Sequence, residues 1–98
     1  MPDLQFEWSR DKAADNARKH GVTFEEAETV FTDEFGILLD DPDHSIDEDR
    51  FVLLGLSARL RTLVVVHCYR RPHDFVRLIS ARKATRKERD IYNRRWRI

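Results

Sequence analysis

Apolar positions along the chain change period three times. Leu4 to Trp8 is a short apolar stretch that suits an edge strand. From Ser9 the pattern turns helical. Ser9 is a candidate N-cap, Arg10 to His20 reads as an alanine-rich helix, and Gly21 fits the C′ position, where positive φ costs little. Thr23-Phe24-Glu25-Glu26 has capping-box spacing. It opens a second helix to about Phe31, with Phe24, Ala27, Val30 and Phe31 on one stripe. After Asp33 the period becomes that of strands, predicted over Phe35 to Leu39, Arg50 to Ser57, Thr62 to Tyr69 and Phe75 to Ala81. An acidic loop from Asp40 to Asp49 contains Pro42, and a turn from Arg70 to His73 contains Pro72. Thr85-Arg86-Lys87-Glu88 repeats the capping-box spacing and opens a last helix to about Trp96. The order β-α-α-β-β-β-β-α predicts one α+β domain over residues 1–98. Its centre is an antiparallel meander of about four strands, packed by two N-terminal helices and one C-terminal helix.

Register follows from where the turns are centred. A turn centred on Pro72 sets His67 opposite Arg77, Tyr69 opposite Phe75 and Val65 opposite Ile79. A turn centred between Arg59 and Leu60 sets Val52 opposite His67 and Arg50 opposite Tyr69. Together they predict that Arg50, His67, Tyr69 and Arg77 converge at one end of one sheet face. Phe51, Leu53, Val64, Val66, Val76 and Leu78 then form the face that receives the helices. A one-residue slip in either turn scatters the cluster.

Composition narrows the class. Among 98 residues, 41% are hydrophobic and 37% charged, against roughly 25% charged in an average domain. No run approaches the ~18 apolar residues of a membrane span. The lone Cys68 cannot form an internal disulfide, and Met1-Pro2-Asp3 does not begin like a signal peptide, so a cytoplasmic address is expected. The formal net charge of +0 hides a strong asymmetry. Residues 1–49 hold 15 acidic and 4 basic side chains; residues 50–98 hold 14 basic, 12 of them arginine, and 3 acidic. Such a split points to a nucleic-acid surface or an acidic partner, and arginine forks bidentately onto phosphate.

Candidate chemistry is limited. There is no glycine-rich phosphate loop and no G-x-S-x-G elbow. His20, His44, His67 and His73 lack metal-ligand spacing, and the acidic run from Asp40 is not an EF-hand loop, so no metal and no cofactor are expected. Histidine and arginine on a sheet remain. Metal-free RNA cleavage needs the 2′-hydroxyl deprotonated, the phosphorane charge neutralised and the 5′-oxygen protonated. Histidine suits the proton steps, and arginine suits the charge. His67, Arg77, Arg50 and Arg82 are the candidate catalytic residues, with Lys83, Arg86 and Tyr69 as RNA contacts. The alternative is a non-catalytic module that binds RNA or a partner and acts as a co-repressor.

Longer blocks carry a family resemblance. Phe6-Glu7-Trp8, Lys12, Asn16 and Lys19 to Ala27 resemble the opening of the BrnT toxins of bacterial type II toxin–antitoxin systems. Asp41 to Ser45, Arg50-Phe51, Gly55, Leu63 to His67, Arg77 to Arg89 and Tyr92 continue the likeness. The resemblance implies a RelE-like fold and a cytoplasmic ribonuclease that slows growth. It also implies neutralisation by a BrnA-type antitoxin, whose ribbon-helix-helix part binds operator DNA, so that the toxin meets DNA through the antitoxin. Arg50, His67, Arg77 and Arg82 fall on the matching blocks.

Overall fold

Side-chain caps fix where each helix begins. The computed structural model describes residues 4–40, 50–70 and 75–95. Helix α1 spans Arg10–His20: Ser9 Oγ accepts from the Lys12 N–H, and Gly21 closes the helix at φ 67°, donating its N–H to the Ala17 carbonyl. Helix α2 spans Phe24–Thr29 and tightens into one 3₁₀ turn at Val30–Thr32. Thr23 Oγ1 caps it by accepting from the Glu26 N–H at 3.1 Å. Helix α3, Arg86–Arg94, carries the full reciprocal box between Thr85 and Glu88. The acidic loop over residues 41–49, the Pro72 turn with His73 and the tail from Trp96 lie outside the described residues.

The strands are β1 (Gln5–Glu7), β2 (Ile37–Asp40), β3 (Arg50–Leu56), β4 (Thr62–Arg70) and β5 (Phe75–Lys83), in the sheet order β1-β5-β4-β3-β2. Strands β2 to β5 form the expected antiparallel meander. The sheet has five strands rather than about four, and it is mixed, because β1 pairs with β5 in parallel. Strand β1 covers only Phe75 to Arg77 of its neighbour. Beyond it, Asn16 of α1 takes over the exposed edge. Its amide donates to the Ala81 carbonyl at 2.8 Å and accepts from the Ala81 N–H at 3.0 Å, as a strand would.

Two clusters fill the two sides of the sheet. On the inner side, Val22, Phe24, Ala27 and Val30 pack on Leu53, Leu63, Val65, Val76, Leu78 and Ala81. At roughly 1.5–3 kcal/mol per buried large aliphatic or aromatic side chain, this is the main stabilising mass. Gly55 lets β3 pass beneath the 3₁₀ turn, since a Cβ there would stand 2.7 Å from Val30 Cγ1. On the outer side, Tyr92 and Ala84 pack on Leu54 and Val64, with Ile37, Val52 and Leu56 around them. Helix α3 therefore covers one end of the outer face.

Hydrogen bonds tie the layers together. The buried Glu26 carboxylate accepts from Ser57 Oγ at 2.7 Å and from Arg61, whose guanidinium also donates to the Gly21 carbonyl. The Arg61 bonds outweigh the opposing effect of burial and hold this carboxyl below its ordinary value. Asp33 accepts from the Leu56 N–H at 2.8 Å and from the Tyr92 hydroxyl at 2.6 Å, which pins α3 to the end of the sheet.

Both register expectations are corrected. In the β3–β4 hairpin Arg50 pairs with Cys68 and Phe51 with His67, one position away from the expected pairing. The cause is a three-residue loop, Ala58 to Leu60, closed by the Leu60 N–H donating to Ser57 and the Ser57 N–H donating to Arg61. Leu60 holds φ 62°, a left-handed position that leucine does not advertise. Between β4 and β5 the pairing shifts again at Val66/His67, where a bulge gives β5 one extra residue: Val66 faces Ser80 but His67 faces Leu78. The expected core face is thereby split. Leu53, Val76 and Leu78 lie in the inner cluster, while Val64 lies in the outer one.

Leu60 is 78% exposed, so replacing it loses little packing. Leu60→Asn is expected to raise stability by about 1 kcal/mol through relief of the left-handed backbone, read by urea unfolding. An unchanged or lowered stability contradicts the three-residue turn.

Candidate RNA-contact face

The two register shifts decide which functional side chains meet. Alternation along β4 turns Val64, Val66 and Cys68 to the outer face. Their β5 partners Arg82, Ser80 and Arg77 point the same way. Arg77 and Arg82 are an odd number of residues apart and would lie on opposite faces of a regular strand; the bulge brings them together. Arg50, the β3 partner of Cys68, joins them. With strands about 4.8 Å apart, the Arg77 and Arg50 backbones stand about 10 Å apart across β4, and Arg82 lies about 13 Å further along the sheet. A phosphodiester and its neighbours fit within reach of long arginine side chains set at those intervals.

His67 and Tyr69 are not part of this group. The expectation that they share a face with Arg50 and Arg77 is corrected, because the shifted pairings turn both to the inner side. His67 is 3% exposed. Its ring meets Phe31 edge-on at a centroid distance of 4.8 Å and lies near Phe51, and Nδ1 is 3.2 Å from the Val65 carbonyl. Burial outweighs that hydrogen bond and lowers the imidazole below its ordinary value, so the ring stays neutral. Tyr69 is half-buried against the inner cluster.

The remaining candidates differ in freedom. Arg77 is half-buried, and its side chain makes no hydrogen bond or ion pair among the described residues. Arg82 is committed: its two terminal nitrogens donate to the two Glu88 oxygens at 2.7 and 3.0 Å. The same carboxylate accepts from the Thr85 N–H at 2.8 Å. The Arg82 bonds, helped by those to Thr85, overcome burial and pull the Glu88 carboxyl down to about 2. The capping box of α3 thus also orients a basic side chain of β5. Lys83 and Arg86 are exposed at the junction of β5 and α3, but Lys83 pairs with Leu63 of the inner cluster, so it projects to the side opposite Arg82 and its expected place beside Arg82 is corrected. Among the described residues no three His, Cys, Asp or Glu side chains come together to hold a metal ion.

A family model described as ribonuclease toxin, BrnT, of type II toxin-antitoxin system matches residues 8–88. The chain belongs to the BrnT family. Its match to the crystal structure of the Brucella abortus ribonuclease toxin BrnT covers 86% of this chain and all of that one, at 20% identity and a TM-score of 0.65, which establishes a shared fold. No curated protein sequence matches the chain. A BrnT toxin is a ribonuclease of a type II toxin–antitoxin system, so an antitoxin partner comes with the family. No helix among the described residues is long and apolar enough to cross a membrane.

Sequence reasoning missed one polar residue of this face. Glu7 of β1 pairs with Arg77, and its neighbours Phe6 and Trp8 both pack into the inner cluster, which turns Glu7 outward. The alternation Phe-Glu-Trp was the available signal.

The Arg82–Glu88 pair yields a pH test. Because the folded Glu88 carboxyl sits near 2 rather than at its ordinary 4.5, the pair's stabilisation is complete above 4.5 and is lost as pH falls toward 2. Glu88→Gln is expected to lower stability by roughly 1 kcal/mol or less at pH 7, with the difference shrinking by pH 2.5 in thermal melts. An equal loss at both pH values contradicts the pairing.

Proposed function

We propose that this BrnT-family chain cleaves RNA without a metal ion, through the arginines of the outer sheet face, within a RelE-like fold. Arg77 and Arg50 neutralise the charge that builds on the phosphorane, since fixed guanidinium donors in a partly dry site bind developing charge better than water does. Arg82 and Arg86 hold neighbouring phosphates. His67 and Tyr69 serve the inner core and take no part in the chemistry. The observation that supports this reading is Arg77 itself, a half-buried guanidinium on a rigid strand with no partner among the described residues. Burying part of a cation without compensation is costly, and an anionic substrate supplies the missing partner.

A cytoplasmic toxin of this kind is held in check by a BrnA-type antitoxin. Its ribbon-helix-helix part binds operator DNA, so the toxin reaches DNA as part of the complex. One observation favours the alternative of a non-catalytic binding module: the sheet places the His67 imidazole away from the arginine row. That alternative predicts salt-sensitive RNA binding with no strand cleavage.

Cleavage of a short RNA in EDTA separates the two. The proposal predicts products ending in a 2′,3′-cyclic phosphate or 3′-phosphate. It predicts that Arg77→Ala slows single-turnover cleavage at least ~10-fold, about 1.4 kcal/mol of transition-state stabilisation. Folded His67→Gln stays within about threefold of the parent. A requirement for added divalent metal, or parent-like cleavage by Arg77→Ala, contradicts it.

A further inference from the structure

With the imidazole on the inner side, the arginine face needs another group to accept the 2′-hydroxyl proton. We infer that Glu7 is that group. The inference rests on the proposed RNA-cleaving role of this face.

Glu7 and Arg77 are direct partners in the parallel β1–β5 pairing, with backbones about 4.8 Å apart. Both are half-buried. Neither side chain makes a hydrogen bond or ion pair among the described residues, although adjacent strand positions allow a carboxylate and a guanidinium to meet. Two opposite charges that stand side by side without bonding leave both free to face a third group. Glu7 is also held firmly. Phe6 packs edge-on against Phe31 at 5.0 Å and Trp8 against Phe24 at 5.9 Å, so the strand is clamped on either side of the carboxylate. The acidic groups at the α3 end of this face are already bonded, Glu88 to Arg82 and Thr85 and Asp33 to Tyr92 and the Leu56 N–H.

The chemistry balances without a further reactant besides water. The Glu7 carboxylate takes the proton of the 2′-hydroxyl as the 2′-oxygen attacks phosphorus. Arg77, one strand away, and Arg50 hold the non-bridging oxygens. The bond from phosphorus to the 5′-oxygen breaks, the leaving oxygen takes a proton from water, and Glu7 returns its proton to solvent. The products are a 2′,3′-cyclic phosphate and a 5′-hydroxyl.

The test compares binding and single-turnover cleavage of one RNA oligonucleotide by the parent, Glu7→Gln, Glu7→Asp and Arg77→Ala, each checked by thermal melt. Glu7→Gln is expected to bind RNA at least as tightly as the parent, having lost a negative charge, and to cleave at least ~100-fold more slowly. Glu7→Asp retains a carboxylate and recovers part of the rate. The Glu7→Gln defect persists on a substrate whose 5′-leaving atom is sulfur, because a better leaving group does not replace a base. Glu7→Gln cleaving within about threefold of the parent, losing binding together with cleavage, or recovering on the sulfur substrate overturns the assignment. If Arg77→Ala is slow in that experiment while Glu7→Gln is not, the arginine face stands and Glu7 alone is wrong. If the parent does not cleave, or Arg77→Ala matches it, the reading of the face fails and Glu7 falls with it.

Discussion

One extra residue in β5 decides which side chains share the outer face. Without the bulge at Val66/His67, either Arg77 or Arg82 turns toward the helices, because strand side chains alternate strictly. With it, the hydrophobic set of β5 stays inward at both ends of the strand, at Val76 and Leu78 and again at Ala81. The polar set stays outward at Arg77, Ser80 and Arg82. Apolar burial enforces this sorting. Reversing it exposes several buried side chains, at roughly 1.5–3 kcal/mol for each large one.

The rest of the molecule supports that division. Helices α1 and α2 seal the inner side, and the buried Glu26 ties α2 to the β3–β4 turn through Ser57 and Arg61. Breaking such a pair strands a charge in the interior, which costs more than the pair contributes. On the outer side α3 is a partial cover. Tyr92 bonded to Asp33 and Arg82 bonded to Glu88 anchor it over Leu54 and Val64, and the row of Glu7, Arg77 and Arg50 lies at the other end of the face. Burial, then the bond to Asp33, pushes the Tyr92 hydroxyl well above its ordinary value, so it remains a donor. Even the edge of β5 is closed by a side chain, the Asn16 amide, where β1 runs out.

Much of the fold was legible in the residues, and the site was legible only in part. Ser9, Thr23, Thr85 and Gly21 announced the helix ends, because capping uses side chains and φ values that few residues supply. The meander followed from alternation and short connections. Two features were invisible for a physical reason. Leu60 adopts a left-handed turn position that glycine or asparagine would have signalled, and the β5 bulge carries no glycine. Each moves the register by one, and one position exchanges the faces. Arg50 and Arg77 were expected on one face and lie on one face, Arg82 joins them only through the bulge, and His67 and Tyr69 were assigned to the wrong side. Glu7 was overlooked because the Phe-Glu-Trp alternation spans too short an edge strand to fix its facing, which the packing of Phe6 and Trp8 in the folded chain then settles.

The sheet separates the imidazole of His67 from the arginine row. An NMR titration of the His67 ring, with and without a short RNA, tests it most directly. The account predicts an imidazole that resists protonation below its ordinary value of 6.5 and ring signals that do not move when RNA binds. A ring that titrates at or above 6.5 and shifts on RNA addition contradicts it.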